Sequence, residues 1–370
     1  MGNSIGARFG RAAAVLKRFV DEGRLPGGVL LVGYRGEEYG PVAYGWAQLE
    51  PESEKRPMRE DTLFDLASCS KVIGTTTAAL MLIDRGEISL DDPISLFLPE
   101  WKGEGKENVR LWHLLTHTSG IPVAGDIHYT GGGPTQMIAG ICSLPLGYAP
   151  GEHVVYTCYG FILLGEIIQR VSGQRLDVFL AQQVFKPLNM ADTMYCPPVR
   201  LRPRIAATEM KPDHSGAWVG VVHDENARAM QGVSGNAGLF STARDVGRFC
   251  RMYLQGGTLE GARILSPAVI EAATRSYTAG LEEERGLGWL LRGHGHGSPA
   301  GDLMSPSAYG HTGFTGTSLW VDPARDLYVV LLTNRVHPSR NNDSHIRLRP
   351  LVANAVVAAL DDRHPSRTDD

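Results

Sequence analysis

No run in this 370-residue chain approaches the ~20 consecutive apolar residues that a membrane-spanning helix needs, so no membrane role is expected. A surplus of positive charge is also missing. The formal net charge is −4, which argues against nucleic acid as the main partner. The short basic clusters Arg200-Leu201-Arg202-Pro203-Arg204 and Arg347-Leu348-Arg349 are expected to be solvated surface. Cysteine is scarce. Cys69, Cys142, Cys158, Cys196 and Cys250 form an odd set without metal-ligand spacing. They predict reduced thiols in a cytosolic protein, not a disulfide framework or a metal site. The N-terminus carries Arg8, Arg11, Lys17 and Arg18 among apolar residues, as an amphipathic helix does, with neither the unbroken apolar core nor the cleavage site of an export signal. Gly131-Gly132-Gly133 precedes no Gly-Lys-Ser/Thr, so it is read as a flexible rim and not a phosphate loop. Internal repeats and low-complexity tracts are lacking, and nothing calls for a cofactor.

What is present is an ordinary globular composition, 43% hydrophobic and 21% charged. The length suffices for one large domain or two closely joined lobes. Residues 8–22 read as a helix. Val29 to Tyr34 and Val42 to Trp46 read as strands turned by Arg35-Gly36-Glu37-Glu38. Thr317 to Asp322 and Leu327 to Leu332 flank Pro323-Ala324-Arg325-Asp326, a hairpin signal. A last helix is expected over 344–361, interrupted by Pro350. Between these ends the pattern is helical at Thr75 to Arg85, Val109 to Thr116 and Phe161 to Val171. The expected architecture is therefore α/β (α+β). Residues 1–60 with 275–370 would form an antiparallel sheet lobe, and 61–274 a mainly helical lobe, with a site between them.

Ser68-Cys69-Ser70-Lys71 opens the first of those central helices. A serine and a lysine three residues apart lie on one helical face, about one turn apart. The helix mouth adds free N–H groups and partial positive charge that can receive an oxyanion. The structural alternative for Ser68 is a helix N-cap. Such a pattern arises by chance about once in a few hundred residues, so its company matters.

That company is Trp112-His113-Leu114-Leu115-Thr116-His117-Thr118-Ser119-Gly120, Tyr156-Thr157-Cys158-Tyr159-Gly160 with Leu163-Leu164-Gly165, and His311-Thr312-Gly313-Phe314-Thr315-Gly316. In this order the segments resemble the serine β-lactamase and penicillin-binding-protein superfamily. Within it, the likeness is to the class C β-lactamase-like branch, which includes D-alanyl-D-alanine peptidases and family VIII carboxylesterases. The resemblance implies a β-lactamase/transpeptidase-like fold. It makes Ser68 the acylated nucleophile, Lys71 its activating partner and Tyr156 a general base and later acid. His311-Thr312-Gly313 then stands where many relatives have Lys-Thr-Gly, and the backbone N–H groups of Ser68 and Phe314 form the oxyanion hole.

A serine hydroxyl needs a base within hydrogen-bond reach, and a lysine of depressed pKa could share a proton with the tyrosine. Whether Lys71 or Tyr156 takes the proton stays open at this level. Two positions depart from the pattern. Cys158 stands where Asn is usual, and a thiol is a weak donor and acceptor. His311, mostly neutral at pH 7, replaces a permanent cation that would pair with a substrate carboxylate. Both changes favour esters over β-lactams. Cys158 is also readable as plain packing or as a reactive thiol. Tyr156 and His311 could equally be core or loop residues if taken alone. His113 and His117 fit a packing motif better than a metal pair. His294 and His296 lie in a glycine loop, where an exposed turn is the default. Val222-His223-Asp224-Glu225-Asn226-Ala227 is left as a pocket rim without assigned chemistry.

The expectation is a cytosolic serine hydrolase working through an acyl-enzyme on small-molecule carboxylic esters. The alternatives are a D-stereospecific peptidase or amidase on peptide-like substrates, a weak β-lactamase, an acyltransferase, or an acylated binding protein that does not turn over. The sequence is silent on oligomeric state.

Overall fold

The computed structural model describes residues 8–123 and 132–360. Helix α1 (Gly10–Asp21) buries Ala12, Ala13, Leu16 and Phe19 at helical spacing. Strands β1 (Gly27–Tyr34) and β2 (Glu37–Gln48) follow as a hairpin, and β3 (Arg56–Pro57) pairs with the end of β2. Strand β4 (Phe64–Asp65) leads to the Ser68 turn, a π-helical turn at Lys71–Thr76, and α2 (Thr77–Asp84). Helix α3 (Tyr159–Ser172), β5 (Met194–Tyr195), β6 (Leu239–Ser241) and α4 (Ala243–Leu254) come next. The chain closes with β7 (Leu290–Leu291), β8 (Tyr309–Thr312), β9 (Ser318–Asp322), β10 (Leu327–Thr333) and α5 (Ser344–Val357).

One antiparallel sheet has the order β3-β2-β1-β10-β9-β8-β7, so strands from the two ends of the chain meet at its centre. Val29 pairs with Leu332 and Leu31 with Val330. Both central strands are buried throughout because both faces are covered. Val29, Leu31, Val330 and Leu332 join the larger core, with α4 and the helical segments. Leu30, Val32, Val329 and Leu331 join a second core under α1 and α5. Strand periodicity thus splits one apolar run between two layers.

Two local expectations need correction. Helix α5 runs through Pro350 instead of breaking there. A proline removes one ladder bond, and the packing of Leu348, Val352 and Val356 holds the helix across it. Gly133 and Pro134 open the helix Gly133–Ser143, with Gly132 and Gly133 in left-handed conformation, so that part of the glycine run is a helix entry. Gly131 lies outside the described residues. A small sheet β4-β6-β5 joins segments for which the sequence reading proposes no strand. Its strands, two or three residues long, are too short for a periodicity to register. No helix among the described residues is long and apolar enough to cross a membrane.

Candidate active site

Ser68 owes its position to Asp65. The buried Asp65 carboxylate accepts from Ala67 N at 2.9 Å and from His223 N at 2.7 Å. Ala67 adopts φ +46°, a left-handed conformation rare for a side-chain-bearing residue. The turn is held from the other side too, because Thr315 and Thr317 hydroxyls donate to Asp65 O and Leu66 O at 2.7 and 2.9 Å. The helix then begins at Cys69, with Ser68 at its mouth. Strain of this kind, about 1–3 kcal/mol, persists only where surrounding contacts over-determine it.

Lys71 is fully buried, and its Nζ lies 3.0 Å from Ser68 Oγ, 3.0 Å from Asn236 O and 3.7 Å from Cys158 Sγ. Burial works against its charge. The opposing pull of Cys158, Tyr156 and Asp224 is greater, so its pKa lies above the ordinary lysine value. This corrects the expected depression. Lys71 is an ammonium with acceptors around it.

Tyr156 is 38% exposed, with its ring centre 5.0 Å from Lys71 Nζ and 5.4 Å from the Arg285 guanidinium carbon. The His117 ring packs against it, tilted by 35° with ring centres 4.4 Å apart. The same histidine, at φ +59°, accepts from Val155 N through its carbonyl and from Thr157 N through Nδ1. His117 therefore positions the tyrosine segment, a role its packing motif did not announce. His113 has a separate task, since its Nδ1 accepts from Arg110 N at the start of its helix. Burial pushes its pKa down to about 4. Among the described residues no cluster suits a metal ion.

His311 is buried on β8, with Nδ1 bonded to Thr312 O at 2.8 Å. The carbonyl makes Nδ1 the protonated nitrogen, and Nε2 is an acceptor without a partner among the described residues. Burial, then the charges of Arg285 and Lys71, hold its pKa well below the usual histidine value. Gly313 packs directly on the Ser68 turn. A Cβ there would stand 2.1 Å from Thr317 Oγ1 and 2.4 Å from Leu66 O, so only glycine fits. Among the described residues the N–H groups of Ser68 and Phe314 meet no protein acceptor. Cys158 is no reactive thiolate, because burial pushes its thiol above the ordinary value and the nearby Lys71 charge does not offset this.

Ser68, Tyr156, Cys158, His311, Thr312, Gly313 and Phe314 line one cavity of about 750 Å³, with Lys71 behind the serine. The 222–227 segment reaches it through His223, Asp224 and Glu225. Asp224 caps the helix Glu225–Ala229 and accepts from Asn236 Nδ2 at 2.9 Å. His294 and His296 are exposed.

The residues that sequence reasoning missed are arginines. Arg285, Arg335, Arg340 and Arg349 all line the cavity. Arg340 pairs with Glu209 and Glu225, and Arg285 with Glu283. Arg335 donates to Phe314 O at 2.6 Å and sits 4.1 Å over the Phe314 ring. Arg349 belongs to a cluster expected to be solvated, yet it is only 8% exposed. Four guanidinium groups from distant segments thus border the cavity. Their spacing along the chain carries no periodic signal.

The Beta-lactamase family model matches residues 12–354. The chain is 33% identical over 348 residues to an N-acetylmuramyl-L-alanine amidase of Bacillus subtilis strain 168, covering 84% of this chain and 78% of that relative. A penicillin-binding-protein homologue from Caulobacter crescentus superposes with a TM-score of 0.77 at 22% identity, over 95% of this chain and 98% of that one. A family VIII carboxylesterase superposes with a TM-score of 0.75 at 22% identity, over 95% and 98%. Both structures share the fold.

Proposed function

Because the chain belongs to the beta-lactamase family of serine hydrolases, we propose that it cleaves small-molecule carboxylic esters through an acyl-enzyme on Ser68. The observation that carries the reading is the 3.0 Å contact between Ser68 Oγ and the buried Lys71 Nζ. Lys71, as an ammonium, donates to Ser68 Oγ and stabilises the charge that develops there. The step starts from the form in which Lys71 keeps its proton and the Tyr156 oxygen has already given its own to solvent; that oxygen takes the serine proton as Oγ attacks the ester carbonyl, and the oxyanion is received by the N–H groups of Ser68 and Phe314. Tyr156 then returns the proton to the departing alkoxide. A water attacks the acyl-enzyme by the same proton route and releases the acid.

Ester preference follows from Cys158. A thiol 3.7 Å from Lys71 offers weak hydrogen bonding where an amide substrate would need a partner for its N–H. The second reading, a D-stereospecific amidase or peptidase or a weak β-lactamase, is favoured by the arginine-lined cavity and by the relative named as an amidase. An acyltransferase differs only in the acceptor. We further place residues 1–60 with 275–370 on one side of the cleft and 61–274 on the other, and the protein in the cytosol. The lining of the cavity by residues from both parts supports the first, and five unpaired cysteines the second.

The test is turnover of p-nitrophenyl butyrate, nitrocefin and D-alanyl-p-nitroanilide, with fluorophosphonate labelling read by intact mass. Fast ester cleavage, little nitrocefin turnover and an adduct on Ser68 are expected. Fast nitrocefin or anilide cleavage with slow ester cleavage would overturn the ester preference. An adduct without any turnover would indicate a stalled binder. Full esterase rate in Ser68→Ala would remove the assignment of the nucleophile.

A further inference from the structure

Arg349 reaches from α5 to the turn that follows β8. Its Nη2 donates to Gly313 O at 2.7 Å and to Thr317 O at 2.9 Å. The Gly313 carbonyl and the Phe314 N–H belong to one planar peptide unit. A cation bonded to the oxygen of that unit draws electron density from its nitrogen, which makes the N–H a stronger donor and fixes its direction. The turn is braced further, because Gly316 N also donates to Gly313 O at 3.0 Å and Gly313 N donates to Thr317 O at 2.8 Å. Arg335 grips the next carbonyl, Phe314 O.

Among the described residues the charge on Arg349 is spent on no counter-ion. Among the described residues it pairs with no carboxylate, and the charged or titratable groups that interact with it are Cys69, Arg335, His311 and His345. Burial brings its guanidinium down to about 10, which leaves it charged at neutral pH. A buried, unneutralised cation costs stability. The two carbonyls it holds sit where the mechanism needs a directed N–H.

We propose that Arg349 is a positioning residue of the oxyanion hole, holding and polarising the Gly313–Phe314 peptide so that its N–H receives the negative oxygen of the tetrahedral intermediate. This rests on the role given to the Phe314 N–H under the proposed function. Arg349 makes and breaks no covalent bond and acts on the oxyanion only through the Gly313–Phe314 peptide. A purely structural tie between α5 and the 313–317 turn would instead show itself in thermal stability and KM.

Arg349→Gln keeps a neutral donor and Arg349→Lys keeps the charge. For both, with wild type, the measurements are kcat and KM on p-nitrophenyl butyrate, the rate of fluorophosphonate labelling of Ser68, inhibition by phenylboronic acid, and Tm. In the boronate adduct the Ser68 oxygen bonds to boron, the hydroxyl proton leaves to the base, and the tetrahedral boron carries the negative charge. Arg349→Gln should lower kcat about 10- to 100-fold, since loss of a whole oxyanion donor typically costs about 10²–10³. Boronate affinity and labelling rate should fall by a similar factor with KM little changed, and Arg349→Lys should recover most of the loss. Unchanged rates in Arg349→Gln overturn the proposal. So does an equal loss in both variants, or a loss that follows Tm and KM. If the wild type cleaves no ester, the esterase reading fails alone, because labelling and boronate binding still report on the Phe314 N–H.

Discussion

Lys71 Nζ lies 3.0 Å from the backbone carbonyl of Asn236, a residue 165 positions further along the chain. That contact, with Ser68 Oγ at the same distance and Cys158 Sγ behind, gives the ammonium three places to donate. Replacing Lys71 by Ala removes the donor to Ser68 and leaves the Asn236 carbonyl unsatisfied. We expect kcat/KM to fall by about 10²–10⁴, the usual worth of a positioned proton-handling group. Steady-state kinetics with circular dichroism checks this, and a variant that keeps a tenth of wild-type activity or more would contradict it.

Cys158 should set the balance between esters and amides. Cys158→Asn places an amide beside Lys71 and restores a partner for a substrate N–H. One neutral hydrogen bond is worth about 1 kcal/mol, so nitrocefin turnover relative to p-nitrophenyl butyrate should rise about fivefold. A ratio that stays level or falls would show that the thiol is not what limits amide recognition.

Asp65 should matter more for folding than its distance from the chemistry suggests. Asp65→Ala strips acceptors from the Ala67 and His223 N–H groups, both bonded to its carboxylate. Each buried orphan costs about 1–3 kcal/mol, so the stability loss should be about 2–5 kcal/mol. Thermal melts would register it as a clear drop in Tm. Activity of the surviving folded fraction should drop as well, since Ala67 would be released from its left-handed conformation.

Glu209 gives the rim its pH dependence. Burial pushes its carboxyl up, but hydrogen bonds from Arg340 and His223 and the Arg340 charge outweigh this and bring it down to about 2. A folded-state pKa below the unfolded one stabilises above the unfolded value, here the ordinary glutamate range, and that contribution is lost as pH falls toward 2. The contribution is at most about 3 kcal/mol. Urea titrations of wild type and Glu209→Gln should differ most near neutral pH and converge near pH 2. A constant difference at every pH would contradict the assignment.

Much of the fold was legible because its signals are local or periodic. The strands of the central hairpins and helices α1 and α3 announce themselves through spacing of apolar residues. The sheet β4-β6-β5 did not, since two- and three-residue strands carry no period. At the site, Ser68, Lys71, Tyr156 and the 311–314 run were readable as motifs and meet around one cavity. The arginines were not readable, because Arg285, Arg335, Arg340 and Arg349 act through contacts with segments remote in the chain.

The amino-acid order by itself determined that Ser68 and Lys71 share a helical face, since a separation of three residues leaves a helix little other choice. Tertiary structure alone decided the direction of the Lys71 shift, the further lowering of the His311 pKa and the placement of Arg349 behind a peptide carbonyl. Each of these depends on burial and on Coulomb attraction or repulsion over a few ångströms, and such distances exist only once the chain has closed on itself.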